Sequence, residues 1–423
     1  MTILVTAVVT LLLTVVTTVL ALNVRSPERK IQHMVTTEYD VGSEQFNRIM
    51  GHLLGPPLIA GNRITILTNG DEIFPPMLEA IRSAQKTVTF ETHVYWSGKI
   101  GDQFADAFCE RAEAGVNVHV VLDYMGAFSM DSALIDRMDE CGVEVELYHP
   151  LRWWTAARIN HRTHRKILVC DGVVGFIGGV GIADPWLGNA RNSDEWRDTH
   201  FKVEGPVVAQ LQRAFVDNWL ATHAWVLHSE EYFPPLAEAD STYAQVFKSS
   251  PNEGSADARL MYTIALAAAR KRIRIATAYF VPDRQVLEAL VAAAKRGVDI
   301  DIIVPGPHLD VRIVAPASKR VWGELLEAGI RIYTYMPTMY HCKITVIDDL
   351  WVSVGSTNLD NRSFSLNDEA NLNALDERMA MALNQQLDED IGRSQPYTLE
   401  MWRARSWKER FNERITDPIR NQL

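Results

Sequence analysis

Residues 164–171 read HRKILVCD, and residues 341–348 read HCKITVID. Both have the form His-x-Lys-x-x-x-x-Asp, threaded through an apolar run. In an extended chain, residues two apart share a face. His164 and Lys166 therefore project together, as do His341 and Lys343, while Arg165 and Cys342 point the other way. The β-branched residues that follow continue as strand. Asp171 has the wrong parity to share the face of His164. Gly172 follows it, and Asp-Gly is a hairpin signal. Asp348 and Asp349 hold the same place in the second copy. Each motif reads as a hairpin with its aspartate at the turn, where it serves either the chemistry or, equally, the turn itself.

The repetition extends outward from the motifs. The returning strands, VVGFIGGVG (173–181) and LWVSVGSTN (350–358), end in small residues. Gly178, Gly179, Gly355 and Ser356 allow a ligand close to the backbone. Their amides, with the Ser356 hydroxyl and the Asn358 amide, are candidates for phosphate oxygens. Upstream, TVTFETHVY (87–95) resembles RIRIATAYF (272–280), and each follows a helical stretch. Helix-Gly-strand units come next in both halves, as in FCERAEAGVNVHVVLDY and LVAAAKRGVDIDIIVPG. Strands alternating with helices predict a parallel-rich α/β sheet with helices on its faces. The period is far too long for a solenoid. The predicted organisation is an anchor at 1–24, a juxtamembrane segment at 25–62, a first half at 63–228, an acidic, proline-containing connector at 229–257, a second half at 258–390 and a basic, aromatic tail at 391–423. Two copies packed about a pseudo-twofold axis bring both motifs into one cleft.

The 423 residues are 47% hydrophobic, enough for a large core. A net charge of -11 without a basic tail argues against gripping nucleic acid by bulk electrostatics. Cys109, Cys141, Cys170 and Cys342 show no CxxC spacing and read as small, buried, reduced side chains, which suits a cytoplasm-facing domain. Residues 3–22, ILVTAVVTLLLTVVTTVLAL, carry no charge. As a helix they span ~30 Å, about one hydrocarbon core. No basic residue precedes them, unlike a signal peptide. Arg25, Arg29 and Lys30 follow them, which predicts a membrane anchor with the bulk of the chain in the cytoplasm.

Two histidines and two lysines in one cleft suit phosphodiester chemistry. Lys166 and Lys343 neutralise charge that builds on the phosphoryl group. One neutral imidazole attacks phosphorus, and the other, protonated, donates to the leaving alkoxide. With the lysines supplying positive charge, no metal or other cofactor is called for. One His-x-Lys pair is weak evidence; two at corresponding places in a duplicated chain are strong.

These residues resemble the phospholipase D superfamily, whose signature is the duplicated His-x-Lys-x4-Asp motif followed by Gly-Gly or Gly-Ser and Asn. The stretches NHRTHRKILVCDGVVGFIGGVGIAD, EWRDTHFKVEGPVV, YFVPD and VGSTNLDNRSFSLNDEANL resemble bacterial cardiolipin synthases in particular. The resemblance implies an α/β fold of two pseudo-twofold-related phospholipase D-like halves sharing one active site, here behind an N-terminal transmembrane helix. It implies metal-free transfer of a phosphatidyl group from phosphatidylglycerol, with phosphatidylethanolamine as another donor left open. The motifs His164, Lys166, Asp171 and His341, Lys343, Asp348 carry over as the catalytic set. His164 is assigned as nucleophile and His341 as general acid/base, with near-symmetry leaving the reverse open. Asp198 and Glu369 match the acidic residues that orient a histidine through its second ring nitrogen. Gly179, Ser356 and Asn358 are the expected phosphate-binding group. Asp360 and Arg362 are expected to brace the turn after Asn358. The chain departs from the pattern at Gly181, where asparagine is usual, and at Cys342, where a small residue is usual.

A lipid-using enzyme must meet its bilayer. Trp153, Trp154 and Arg158, just before the first motif, combine interfacial aromatics with cations. Trp402 and Trp407 sit among arginines in the tail, predicting either an interfacial helix or one docked on the protein. The expected partners are phospholipids and the lipid bilayer at the inner membrane, not nucleic acid; a homodimer is left open. The competing readings are a hydrolase of the same superfamily with water as acceptor and, remotely, a non-catalytic lipid-binding scaffold.

Overall fold

Each His-x-Lys motif leads into an antiparallel hairpin. Ile167–Cys170 pairs with Val174–Gly178, and Lys343–Ile347 pairs with Trp351–Gly355. At the turns, Asp171 and Gly172 take φ of 53° and 66°, and Asp348 and Asp349 take 54° and 56°. Glycine, aspartate and asparagine tolerate this left-handed region best. The Asp171 carboxylate accepts from the backbone N–H groups of Gln85, Lys86 and Thr87 at 2.7–3.1 Å. Asp348 accepts from Arg270, Lys271 and Arg272 at 2.7, 2.7 and 2.9 Å. Both therefore tie down the start of a neighbouring strand, at the opposite end of the hairpin strand from the histidine and lysine. The catalytic assignment of Asp171 and Asp348 is corrected accordingly: the strand separates them from the imidazoles. Asp171→Ala or Asp348→Ala is expected to cost about 2–3 kcal/mol of stability through lost charge-assisted bonds. The variants that fold should turn over within a few-fold of wild type. Thermal melts beside a turnover assay check this.

The computed structural model describes residues 35–151, 160–251, 257–416 and 422, with residues 5–7, 10, 11, 14, 17 and 18 near the N-terminus. Its main sheet repeats one strand order twice. In the first half the order is Ile59–Thr68, Thr199–Glu204, Val174–Gly178, Ile167–Cys170, Thr87–Thr92, Asn117–Asp123, Glu144–Tyr148. In the second it is Thr242–Ser249, Asn367–Leu375, Trp351–Gly355, Lys343–Ile347, Arg272–Thr277, Asp299–Pro305, Arg331–Tyr335, with Ser394–Tyr397 added at the edge. The halves join where Ile59–Thr68 pairs with Thr242–Ser249. The sheet is mixed rather than parallel-rich. Only the last three strands of each seven run parallel, because the hairpins that carry the motifs impose antiparallel neighbours.

Helices cover both faces. Asn69–Ser83, Lys99–Glu113 and Ser132–Glu140 pack the first half, around Phe74, Phe104 and Phe108. Asp257–Ala268, Arg284–Lys295 and Val314–Glu327 pack the second. In Arg284–Lys295 the buried residues Val286, Leu287, Ala289, Leu290 and Ala293 recur at helical spacing, one stripe facing the sheet. Val208–His223 and Glu377–Gly392 lie over a third core built from strands of both halves, including Ile167, Ile177, Val346 and Val354. This shared core fixes the halves against each other.

Two expectations change. Cys109 and Cys141 form a disulfide, with Cα atoms 5.4 Å apart. Packing of Lys99–Glu113 against Ser132–Glu140 brings them together, which spacing in sequence did not show; Cys170 and Cys342 are free and buried. The cytoplasmic orientation thereby loses its cysteine argument. Among the described residues, no helix is long and apolar enough to cross a membrane. The anchor expected at residues 3–22 falls largely outside the described residues; the described positions within it are helical and exposed.

Candidate active site

The two histidines meet at the seam between the halves, and each is clamped from across it. The His164 N–H donates to the Asp368 carbonyl, and the His341 N–H to the Arg197 carbonyl, both at 2.8 Å. The side chains cross as well. His164 Nδ1 lies 3.0 and 3.1 Å from the two Glu369 oxygens, and His341 Nδ1 lies 2.7 Å from Asp198. Each imidazole is thus oriented by a carboxylate of the opposite half. A hydrogen on Nδ1 donated to these carboxyl oxygens leaves Nε2 as the reactive nitrogen. Only 8% of His164 and 5% of His341 is exposed. Lys166 donates to the His164 carbonyl at 2.7 Å, and Lys343 to the His341 carbonyl at 2.6 Å. The Lys343 ammonium also lies 3.0 Å from the His341 Nδ1.

The small residues after each hairpin do something other than expected. The Gly179 and Ser356 amides donate to the Thr199 and Ala370 carbonyls at 3.2 and 3.0 Å, so the sheet uses them. A Cβ at Gly179 would lie 2.2 Å from a carboxylate oxygen of Asp198. Glycine is there to let that carboxylate reach His341. In the second half Ser356 uses the same closeness, and its hydroxyl donates to Glu369. The phosphate-binding assignment of Gly179 and Ser356 is corrected: both support the orienting carboxylates. Asn358 is buried at the site, and its side-chain oxygen has no hydrogen-bond partner among the described residues. Asp360 caps the short helix Asn361–Ser365, accepting from the Ser363 N–H at 2.7 Å.

The electrostatics distinguish the two sites. Burial opposes charge on His164 and the ammoniums of Lys166 and Lys343 add to this, so its pKa falls well below the ordinary value. Burial and Lys343 also lower His341, against the pull of Asp198. Burial pushes Lys166 down to about 7, helped by the charge of Lys343. Burial raises the Asp198 carboxyl, but His341 and Lys343 outweigh it and hold it below the ordinary range. Asp198 also accepts from Trp186 Nε1 at 2.9 Å and from the Thr199 N–H at 2.8 Å. Glu369 is the opposite case: burial lifts its carboxyl to about 8, despite Lys166. His341 therefore faces a firm carboxylate, and His164 a carboxyl that resists ionising.

The surroundings are asymmetric. Beside His164 stands His93, with ring centroids 5.3 Å apart and its Nδ1 2.8 Å from the Thr163 carbonyl. Beside His341 stand Trp186, Trp196 and Tyr279, at 5.2, 5.7 and 6.4 Å. Motif reasoning missed these residues, although the signal for His93 and Tyr279 lay in the two repeats, where ETHVY and ATAYF differ. Of the expected membrane contacts, Trp153, Trp154 and Arg158 lie outside the described residues. Trp402 is docked on the protein, which corrects its assignment: its indole packs over Gly323 and donates to the Lys319 carbonyl at 2.9 Å. Trp407 is 72% exposed.

A family model described as "Cardiolipin synthase, PLD-like domain" matches residues 77–219 and 262–391. The chain belongs to this family. It is 34% identical over 359 residues to cardiolipin synthase A of Pseudomonas fluorescens, covering 84% of this chain and 73% of that one. It is 30% identical over 403 residues to cardiolipin synthase 1 of Bacillus cereus, covering 92% and 79%. Among solved structures, phosphatidylserine synthase of Haemophilus influenzae matches 87% of this chain and 97% of its own, with a TM-score of 0.66 at 13% identity. That likeness shows the fold alone, while the two matched segments show the phospholipase D-like domain in duplicate. Both family-matched segments contain one His-x-Lys pair and its Gly-rich return, so the site lies wholly within the matched region.

Proposed function

We propose that this chain is a membrane-bound phosphatidyltransferase that makes cardiolipin from phosphatidylglycerol through a phosphohistidine. The observation that carries this reading is the pair of crossed carboxylate–imidazole contacts beside two lysines. A phosphodiester bound between Lys166, Lys343 and Asn358 brings a negative charge that offsets the ammoniums, so a proton on His341 becomes affordable next to ionised Asp198. His164, beside the carboxyl that resists ionising, stays neutral and is the nucleophile. Its Nε2 forms a bond to phosphorus as the bond to the glycerol oxygen breaks. His341 gives that oxygen its proton, and glycerol leaves. A hydroxyl of a second phosphatidylglycerol then loses its proton to neutral His341 and attacks phosphorus. The P–N bond breaks and His164 recovers its lone pair.

The bilayer is reached from two places on this reading. The run at residues 3–22 serves as anchor, with its orientation argued from Arg25, Arg29 and Lys30. Trp407, Phe411 and Ile415 recur at helical spacing on Trp407–Thr416, all more than half exposed. With Lys408, Arg410 and Arg414 on the same helix, they suit an anionic lipid surface.

Purified protein incubated with phosphatidylglycerol vesicles is expected to yield cardiolipin and glycerol in equal amounts by mass spectrometry. Phosphatidic acid in place of cardiolipin would make water the acceptor and establish the hydrolase instead.

A further inference from the structure

The symmetric parts of the site handle phosphate, so what reads the headgroup must break the symmetry. In register, Val88 faces Cys170 and Ile273 faces Ile347, at matching places before the two hairpin turns. That register makes Val94 the counterpart of Tyr279. Val94 is apolar and fills the space beside Gly181, where its Cβ would lie 2.7 Å from an added Cβ. Tyr279 stands edge-on to His341, with ring centroids 6.4 Å apart. Its ring packs against Val281, Val314 and Ala317, which hold it in place. The next two residues, Phe280 and Val281, pair with Leu359 and Asp360, so the tyrosine is tied alongside Asn358.

The Tyr279 hydroxyl donates to Asp310, an exposed carboxylate in the loop ahead of Val314–Glu327. Asp310 also accepts from the Val311 N–H at 2.7 Å. Its negative charge reaches both His341 and Lys343. A carboxylate and a phenol thus stand on the side of the imidazole that protonates the leaving oxygen. Neither has a task in phosphate binding, since a carboxylate repels phosphate. A carboxylate has about four lone-pair sites, so it can accept from two neighbouring hydroxyls while holding Tyr279. The cleft already contains the ammoniums of Lys166 and Lys343, so a neutral polyol fits beside them better than a second cation.

We propose that Tyr279 and Asp310 form the subsite for the glycerol headgroup, both as it departs and as the second lipid presents it. Asp310 accepts from the vicinal hydroxyls. Tyr279 aims the carboxylate. The inference rests on the phosphatidyltransferase reading and names what sets its headgroup preference.

The test compares phosphatidylglycerol with phosphatidyl-1-propanol, which has the same charge and no vicinal hydroxyls. Full-length enzyme in excess over vesicles of each lipid gives the single-turnover release of glycerol or propanol. In Asp310→Ala and Asp310→Asn, glycerol release should slow roughly 10- to 100-fold, because the acceptor for the vicinal hydroxyls is lost. Propanol release should stay within about threefold of wild type, on the same contrast. Tyr279→Phe should show the same selective loss, smaller in size. Equal losses on both lipids, or none on either, would overturn the assignment. So would a larger loss with phosphatidylethanolamine than with phosphatidylglycerol, which would place an ammonium there. No glycerol release from wild type would instead remove the phosphatidyltransferase reading itself.

Discussion

His341→Ala is expected to complete one half-reaction with a phosphatidyl p-nitrophenol substrate, and His164→Ala none. With phosphatidylglycerol both variants should lose about 10⁴-fold or more, since a nucleophile and its acid act as a unit. An alkoxide leaves poorly without a proton, so phosphatidylglycerol cannot tell the two roles apart. p-Nitrophenolate needs no proton to leave. His341→Ala should therefore release one equivalent of p-nitrophenolate and stop, with the phosphatidyl group on His164 detectable by mass spectrometry of the protein. The physical reason for this order is the unequal pair of partners. Asp198, held by three hydrogen bonds, can face an imidazolium, whereas Glu369 is raised to about 8 by burial and favours a neutral ring. A burst from His164→Ala and not from His341→Ala would reverse the roles. A burst from neither would remove the covalent intermediate.

The orienting carboxyls should respond unequally to amide substitution. Asp198 is held ionised, so Asp198→Asn removes a full charge from His341 and also endangers its tautomer. We expect kcat to fall by about 10³- to 10⁴-fold, the scale seen when a buried aspartate behind a catalytic histidine becomes an amide. Glu369 has its carboxyl raised above the ordinary value, so the protonated form is the stable one below about pH 8. A glutamine is close to isosteric with that form. Glu369→Gln should lose at most about tenfold at pH 7, within the range of a mildly perturbed hydrogen bond. The sign reverses on the alkaline side: the wild-type group ionises as pH rises through about 8, and the variant cannot. The two kcat profiles should run parallel at low pH and separate above that point. A loss at pH 7 as large as that of Asp198→Asn would show Glu369 working as an anion.

The hairpins, the duplication and the His-Lys pairs were legible in the sequence because they depend on local spacing. Parity placed His164 with Lys166 and kept Asp171 apart, and the Asp-Gly pair at 171–172 marked a turn whose positive φ the structure shows. What stayed hidden depends on distant contacts. His164 and Glu369 are 205 residues apart, and His341 and Asp198 are 143 apart. No periodicity reveals that the carboxylates cross between the halves. The small residues at Gly179 and Ser356 were visible, but small size suits a ligand and a nearby carboxylate equally well. Only the position of Asp198 decides between them. Cys109 with Cys141, and Trp402 over Gly323, failed for the same reason: helix packing, not spacing, sets their partners.

The crossed orienters also bear on safety during synthesis. A chain with one half folded has a histidine and a lysine but no fixed tautomer on its imidazole. It is therefore a poor phosphodiesterase. Reactivity appears only when the second half docks and its acidic residue reaches across. The catalyst is in effect switched on by the completion of its own fold.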